Sequence, residues 1–268
     1  MTKKIVYRWL KVIILVYSII GIVFYYLQDK IFFHPTPLAV DYVYAFEDSF
    51  REVNIQYDEQ SRINILQFYR NPDTAKAVVL YFHGNKDNIE RYAGYASAML
   101  NEGYEVWMID YPGFGKSAGE FREQVLYDWA LQFYKLARAR FNTNSIIIYG
   151  KSLGTGIATQ LASIRDCKHL ILETPYYSFP SIASRWLPVY PLNRMVTMKI
   201  PTWQYLQKVD APVTIFHGTK DGVIPFSNGL RLQQYLKPGS EFVAVPGASH
   251  NGLTDYELVR SKIKSILD

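Results

Sequence analysis

The residues of this chain whose types and spacing suit chemistry are a serine framed by glycines, with an acid and a histidine after it. Gly150-Lys151-Ser152-Leu153-Gly154 directly follows the apolar, β-branched run Ser145-Ile146-Ile147-Ile148-Tyr149. A Gly-x-Ser-x-Gly pattern at a strand-to-helix junction forces a sharp turn that lifts the serine hydroxyl above the sheet edge, with glycines where side chains would collide. Glycine and serine are also common in ordinary turns, so the pentapeptide gains meaning only from its context and partners. Asp221 stands in His217-Gly218-Thr219-Lys220-Asp221-Gly222, and His250 follows Pro246-Gly247-Ala248-Ser249. Of the five histidines, His34, His83, His169 and His217 precede Asp221, which leaves His250 as the one placed after it. Ser152, Asp221 and His250 suit nucleophilic attack on an acyl carbonyl. A neutral serine is a poor nucleophile, so a histidine must take its proton and an acid must fix the imidazole tautomer. Glu173, at the end of another strand-like run, is the alternative acid.

An acyl transfer also needs donors for the developing oxyanion. The run 77–82 ends in His83-Gly84-Asn85, where Gly84 lets the backbone approach a ligand, and the amides of Asn85 and Leu153 are the expected donor pair. His83 is read as a structural hydrogen-bonding residue, with proton transfer as the alternative. Asp110, before Tyr111-Pro112-Gly113, is another acid at a strand end, but Ser152 already fills the nucleophile position. This chemistry requires no metal and no organic cofactor. The single cysteine, Cys167, excludes an intramolecular disulfide and a thiolate zinc site, and it reads as a small buried apolar residue.

The elements that must position these groups alternate regularly. Stretches 49–56 and 63–69 predict an antiparallel hairpin. Strands are then predicted at 77–82, 105–109, 145–149, 169–172, 213–216 and 241–245, and helices at 89–102, 123–140, 155–163, 227–235 and from 254 onward. Short apolar runs alternating with longer amphipathic segments predict a mostly parallel sheet with helices on both faces. In such sheets ligands bind outside the carboxyl ends of the strands, where Asn85, Ser152, Glu173 and Asp221 all fall. About 37 residues separate the strands that flank Pro175–Val213. That is too short for a large cap domain, and its aromatic, proline-rich stretches 176–179 and 186–191 read as an irregular wall over the site or as side chains packed on the sheet.

Charge is concentrated at the N-terminus. The net charge is +5, and residues 1–30 hold Lys3, Lys4, Arg8, Lys11 and Lys30 against Asp29. The remaining body is nearly neutral with no basic tract, which argues against nucleic acid as a partner. Sixteen uncharged, mostly apolar residues run from Val12 to Leu27. At about 1.5 Å per residue they span roughly 24 Å of a hydrocarbon core of about 30 Å, with Lys11, Arg8 and Trp9 able to reach the interface. A membrane anchor, a cleavable signal peptide and a core helix all fit such a run. Bulky or charged Tyr25, Tyr26, Leu27, Gln28 and Asp29 offer no small-residue cleavage site, which favours the anchor. The basic flank predicts a cytoplasmic N-terminus and a body on the periplasmic, extracellular or lumenal side. The expected organisation is an anchor over 1–30, a connector over 31–44 and one catalytic domain over 45–268.

Phe82-His83-Gly84-Asn85, Asp110-Tyr111-Pro112-Gly113-Phe114-Gly115-Lys116-Ser117, Gly150-Lys151-Ser152-Leu153-Gly154, His217-Gly218-Thr219-Lys220-Asp221 and Gly247-Ala248-Ser249-His250 together resemble the α/β-hydrolase superfamily. The resemblance implies the α/β-hydrolase fold, a Ser-Asp-His triad and a hydrolytic reaction class. The anchor-like start and the connector Phe32-Phe33-His34-Pro35 resemble its small membrane-tethered branch. That branch includes acyl-thioester hydrolases acting on lipidated proteins and lipid hydrolases, so the expected substrate is a small-molecule or lipid-like acyl compound or a lipidated protein. A peptidase of the same fold and a non-catalytic binding module are the other readings, and the retained Ser, Asp and His argue against the module.

Overall fold

The computed structural model describes residues 2–268. The chain opens with α1 (Lys3–Phe32), a 30-residue helix that outruns the predicted anchor by two residues. Its apolar run holds a single glycine, Gly21, and no proline before Pro35, so nothing stops the helix earlier. The body is built on eight strands: β1 (Phe50–Gln56), β2 (Arg62–Phe68), β3 (Ala77–Phe82), β4 (Tyr104–Ile109), β5 (Ile146–Lys151), β6 (His169–Glu173), β7 (Val213–Gly218) and β8 (Glu241–Val245). They form one sheet in the order β8-β7-β6-β5-β3-β4-β2-β1. The hairpin β1–β2 and the pair β2–β4 are antiparallel, and every other pair is parallel. β3, β4, β5 and β7 are buried along their whole length, as expected of parallel strands covered on both faces.

Two apolar layers provide that cover. One face packs against α4 (Glu123–Arg138) and α5 (Leu153–Ala162), with the end of α1 and the β6–β7 connection joining the same core. The other packs against α2 (Ile89–Tyr92), α3 (Ala96–Leu100) and the closing helix α10 (Glu257–Leu267). The β6–β7 connection holds only α6 (Phe179–Ala183), α7 (Leu192–Met195) and α8 (Thr202–Leu206), so there is no large cap. Two predicted helices are broken. The helix expected over 89–102 divides into α2, a 3-10 turn and α3, and the one over 227–235 ends as α9 (Phe226–Leu230) before a separate 3-10 turn. Gly94 and Gly229 lie inside these stretches, and glycine weakens a helix interior.

α1 is not isolated. Its buried residues are Gly21, Phe24, Gln28 and Phe32, a stripe at helical spacing, and the rest of its surface is exposed. Tyr17 stacks on Tyr190 with ring centroids 4.3 Å apart, Gln28 accepts from the Thr197 amide at 2.8 Å, and Phe32 meets Phe179 edge-on at 5.1 Å. The helix therefore lies along the β6–β7 connection from its middle to its end.

Candidate active site

β5 delivers Ser152 into a turn that only a constrained backbone allows. Ser152 has φ +51° and ψ −116° as the N-cap of α5, a strained conformation of the kind that clusters at functional sites. The glycines of the pentapeptide make that turn possible. A Cβ on Gly154 would sit 2.0 Å from the Phe82 carbonyl oxygen, and one on Gly150 would sit 2.6 Å from the Gly154 carbonyl oxygen. Gly84 plays a related part, since a Cβ there would come within 2.8 Å of the Tyr92 hydroxyl and 3.6 Å of Ser152 Cβ.

The loops after β7 and β8 bring the other two residues to this turn. His250 Nε2 lies 3.0 Å from Ser152 Oγ, and His250 Nδ1 lies 2.8 Å from Asp221 Oδ2. In the tautomer that donates Nδ1–H to the carboxylate, Nε2 is free to accept the serine hydroxyl. Asp221 Oδ1 accepts the amides of Val223 at 2.8 Å and Ile224 at 2.9 Å. Burial pushes this carboxyl up, but the hydrogen bond and charge of His250 with the two amides outweigh it, so its pKa lies below the ordinary carboxylate value. All three side chains are buried in one line.

The other candidates are occupied elsewhere. Glu173 is fully buried at the end of β6, in ion-pair contact with Lys151 and accepting the Tyr149 hydroxyl at 2.6 Å. Its backbone carbonyl accepts the Ser152 amide at 2.9 Å, so it supports the turn without approaching His250. Burial lowers the Lys151 pKa, but the Glu173 carboxylate together with Tyr95 more than reverses this, so the ammonium form is favoured. Sequence reasoning missed this pair; its signal is the register in which Lys151 of β5 stands beside Glu173 of β6. His83 is buried, with Nε2 3.1 Å from Asp110 and Nδ1 2.7 Å from the Gly84 carbonyl. Asp110 accepts the Ile89 amide at 3.0 Å, and burial raises its pKa against the pull of His83. The pair ties β3 to β4 and does not reach Ser152 Oγ. Cys167 is buried, and burial pushes its thiol up to about 12.

A cleft of about 80 Å³ opens beside Ser152. Asn85 and Leu153 line it together with Tyr176, Phe179, Ile182, Trp186, Val223 and Ile224, and Ile31 and Phe32 of α1 complete the wall. The amides of Asn85 and Leu153 donate to no group among the described residues. Larger concavities of about 840 and 900 Å³ lie elsewhere, one between α3 and α10 and one around residues 177–204, and neither contains Ser152, Asp221 or His250. Among the described residues no group of three or more His, Cys, Asp or Glu side chains is arranged to hold a metal ion.

Residues 73–210, just over half of the chain, match the Hydrolase_4 family, described as serine aminopeptidase S33. The chain belongs to this family. It is an α/β-hydrolase-fold serine hydrolase. The matched segment holds Ser152 and ends before Asp221 and His250, so the place of those two rests on the geometry above. Mouse alpha/beta hydrolase domain-containing protein 17C is 29% identical over 225 residues, covering 80% of this chain and 68% of its own; the chain spans about two thirds of such mammalian relatives. An uncharacterized protein of Mycobacterium tuberculosis is 26% identical over 238 residues, covering 88% of this chain and 84% of its own. Among solved structures, the Pyrococcus furiosus esterase Pf2001 superposes with a TM-score of 0.67 at 15% identity, over 88% of this chain and 96% of its own. Est1E from Butyrivibrio proteoclasticus, solved with ferulic acid, gives 0.64 at 20% identity, over 80% and 97%. These likenesses establish the fold.

Proposed function

We propose that this hydrolase is a membrane-anchored enzyme that cleaves acyl esters or thioesters through Ser152, His250 and Asp221. The observation that carries the reading is the unbroken line Ser152 Oγ–His250–Asp221, with contacts of 3.0 and 2.8 Å, standing at the mouth of an apolar cleft. His250 takes the Ser152 proton as Oγ bonds to the acyl carbon, and Asp221 stabilises the resulting imidazolium. The oxyanion accepts from the amides of Asn85 and Leu153. His250 then protonates the departing alkoxide or thiolate, and water repeats the cycle on the acyl-enzyme to release the acid.

The lining supports an acyl group over a peptide N-terminus. An aminopeptidase needs an acid to hold the substrate ammonium, and the side chains that line this cleft include no carboxylate. α1 supports the anchor, since its mean hydropathy reaches 2.2 over an 18-residue window with 11% of that window buried against the body. Lys3, Lys4, Arg8 and Lys11 before the apolar run favour a cytoplasmic N-terminus, which would put the body on the periplasmic, extracellular or lumenal side. Membrane tethering then favours lipid-like acyl substrates or lipidated proteins by effective concentration.

The test is fluorophosphonate labelling of the membrane fraction, with wild type beside Ser152→Ala. Labelling that disappears in the variant, together with hydrolysis of p-nitrophenyl esters that disappears with it, is the expected result. A folded wild-type protein that neither labels nor turns over esters overturns the reading.

A further inference from the structure

The cleft beside Ser152 is finished by the helix read as the anchor. Ile31 and Phe32 form part of its wall, and Phe32 packs against Phe179 and Trp186 at 5.1 and 6.2 Å on the far side. The end of α1 is also tied to the oxyanion loop. The Asn85 side-chain amide donates to the Phe32 carbonyl at 2.6 Å, and the Asn85 carbonyl accepts from the His34 amide at 2.9 Å. One residue thus joins the proposed anion site to the end of the helix.

The depth of the contact follows from helix geometry. Tyr190 stacks on Tyr17 and donates its hydroxyl to the Tyr17 carbonyl at 2.7 Å. Tyr17 lies ten residues before Leu27, the end of the apolar run, which is about 15 Å along the helix and near the middle of a hydrocarbon core of about 30 Å. If α1 spans the bilayer along that run, the segment that contacts Tyr17 stands below the headgroups. Its exposed side chains include the apolar Trp186, 54% exposed, and Val189, 72% exposed, with the exposed Arg185 and Arg194 on either side of them. The cleft itself is small. At about 30 Å³ for each water-sized group it accepts only the first few carbons next to the carbonyl, and the rest of a longer chain must continue over Ile31, Trp186 and Val223 at the rim.

We propose that the last turn of α1 is a substrate-binding element: it walls the acyl cleft and sets its mouth at the headgroup edge of the leaflet, so the enzyme engages acyl chains still lodged in the bilayer. The inference rests on the membrane-anchored serine-hydrolase reading. It makes the anchor a determinant of acyl selectivity, with Ile31, Phe32 and Trp186 as its contact residues.

The experiment uses the full chain in phosphatidylcholine vesicles. It measures kcat/KM for a vesicle-resident palmitoyl thioester of a short peptide and for soluble p-nitrophenyl acetate, with fluorophosphonate labelling of Ser152 in each sample. Ile31→Trp, which fills the wall, is expected to lower the long-to-short ratio at least tenfold. Ile22→Trp, on the exposed side of α1, is expected to keep that ratio within twofold. A second measurement does not depend on the Ile31 variant folding. Lipids brominated along the acyl chain should quench wild-type fluorescence more than that of Trp186→Phe. A ratio unmoved by Ile31→Trp in protein that still labels, or quenching identical in wild type and Trp186→Phe, overturns the inference and leaves the serine-hydrolase reading intact. Absence of labelling in folded wild type overturns both.

Discussion

Two buried acids compete at the residue scale, and their surroundings assign them different work. Asp221 faces the His250 ring and two backbone amides, whereas Glu173 faces Lys151 and Tyr149. Asp221→Asn keeps the shape but favours the wrong imidazole tautomer, so kcat is expected to fall about 10⁴-fold with little change in thermal stability. Glu173→Gln instead leaves the Lys151 ammonium buried without its counter-charge, at a cost of about 3–5 kcal/mol. Its expected signature is a lowered melting temperature, and a 10⁴-fold kinetic loss at unchanged stability would exchange the two roles. His169 predicts a pH effect. Burial lowers its pKa to about 4, and Nε2 sits 2.9 Å from the Thr214 hydroxyl. Between the ordinary value of about 6.5 and that value the unfolded chain binds the extra proton, so stability is complete above pH of about 6.5 and declines as pH falls toward 4. The melting temperature of wild type should therefore drop more between pH 7 and 4.5 than that of His169→Gln. Equal drops would place the acid sensitivity elsewhere.

Among the elements, α4 does more than cover the sheet. Glu123 in its first turn accepts the Lys199 amide at 2.6 Å, the Ile200 amide at 3.2 Å and the Tyr127 hydroxyl at 2.8 Å. Ile200 has φ +31°, an unfavourable value for a β-branched residue, so the carboxylate holds a strained corner of the β6–β7 connection. Bonds to a charged group contribute roughly 1.5–3 kcal/mol each. Glu123→Ala is therefore expected to speed hydrogen exchange over residues 192–204 while β5 stays protected, and unchanged exchange there would show that the corner is held by packing alone. The same level explains what the sequence made legible. Strands buried on both faces appear as short apolar runs, and the groups at their carboxyl ends, Ser152 among them, could be placed from that alternation. Pairings that depend on register were hidden. Lys151 and Glu173 are 22 residues apart in sequence and meet only because β5 and β6 are neighbours in register. The stripe Gly21, Phe24, Gln28 and Phe32 was equally hidden, because a helix apolar all round gives no sign of which side is covered.

For the whole molecule, the contact between α1 and the body bears on the choice between anchor and removable leader. A leader leaves no mark on the mature fold, yet Phe24 and Phe32 are each only 6% exposed. Burying a phenylalanine contributes about 1.5–3 kcal/mol, and Phe32 and Phe33 both pack on Phe179. Cleavage after residue 30 would strip Phe24 and Gln28 from the core and leave Phe32 at a loose end beside Ser152. The mature protein is therefore expected to keep its N-terminal residues, to fractionate with membranes and to resist extraction by alkaline carbonate. Intact mass and N-terminal mapping of the membrane-fraction protein check this directly. A deletion of residues 1–30 supplies the energetic counterpart: in the same detergent it should melt at a lower temperature than the full chain, because Tyr190 and Thr197 lose their contacts with Tyr17 and Gln28. A mature form that begins near residue 30 and melts like the full chain would show that the stripe on α1 contributes nothing to the fold, and the anchor reading would fall with it.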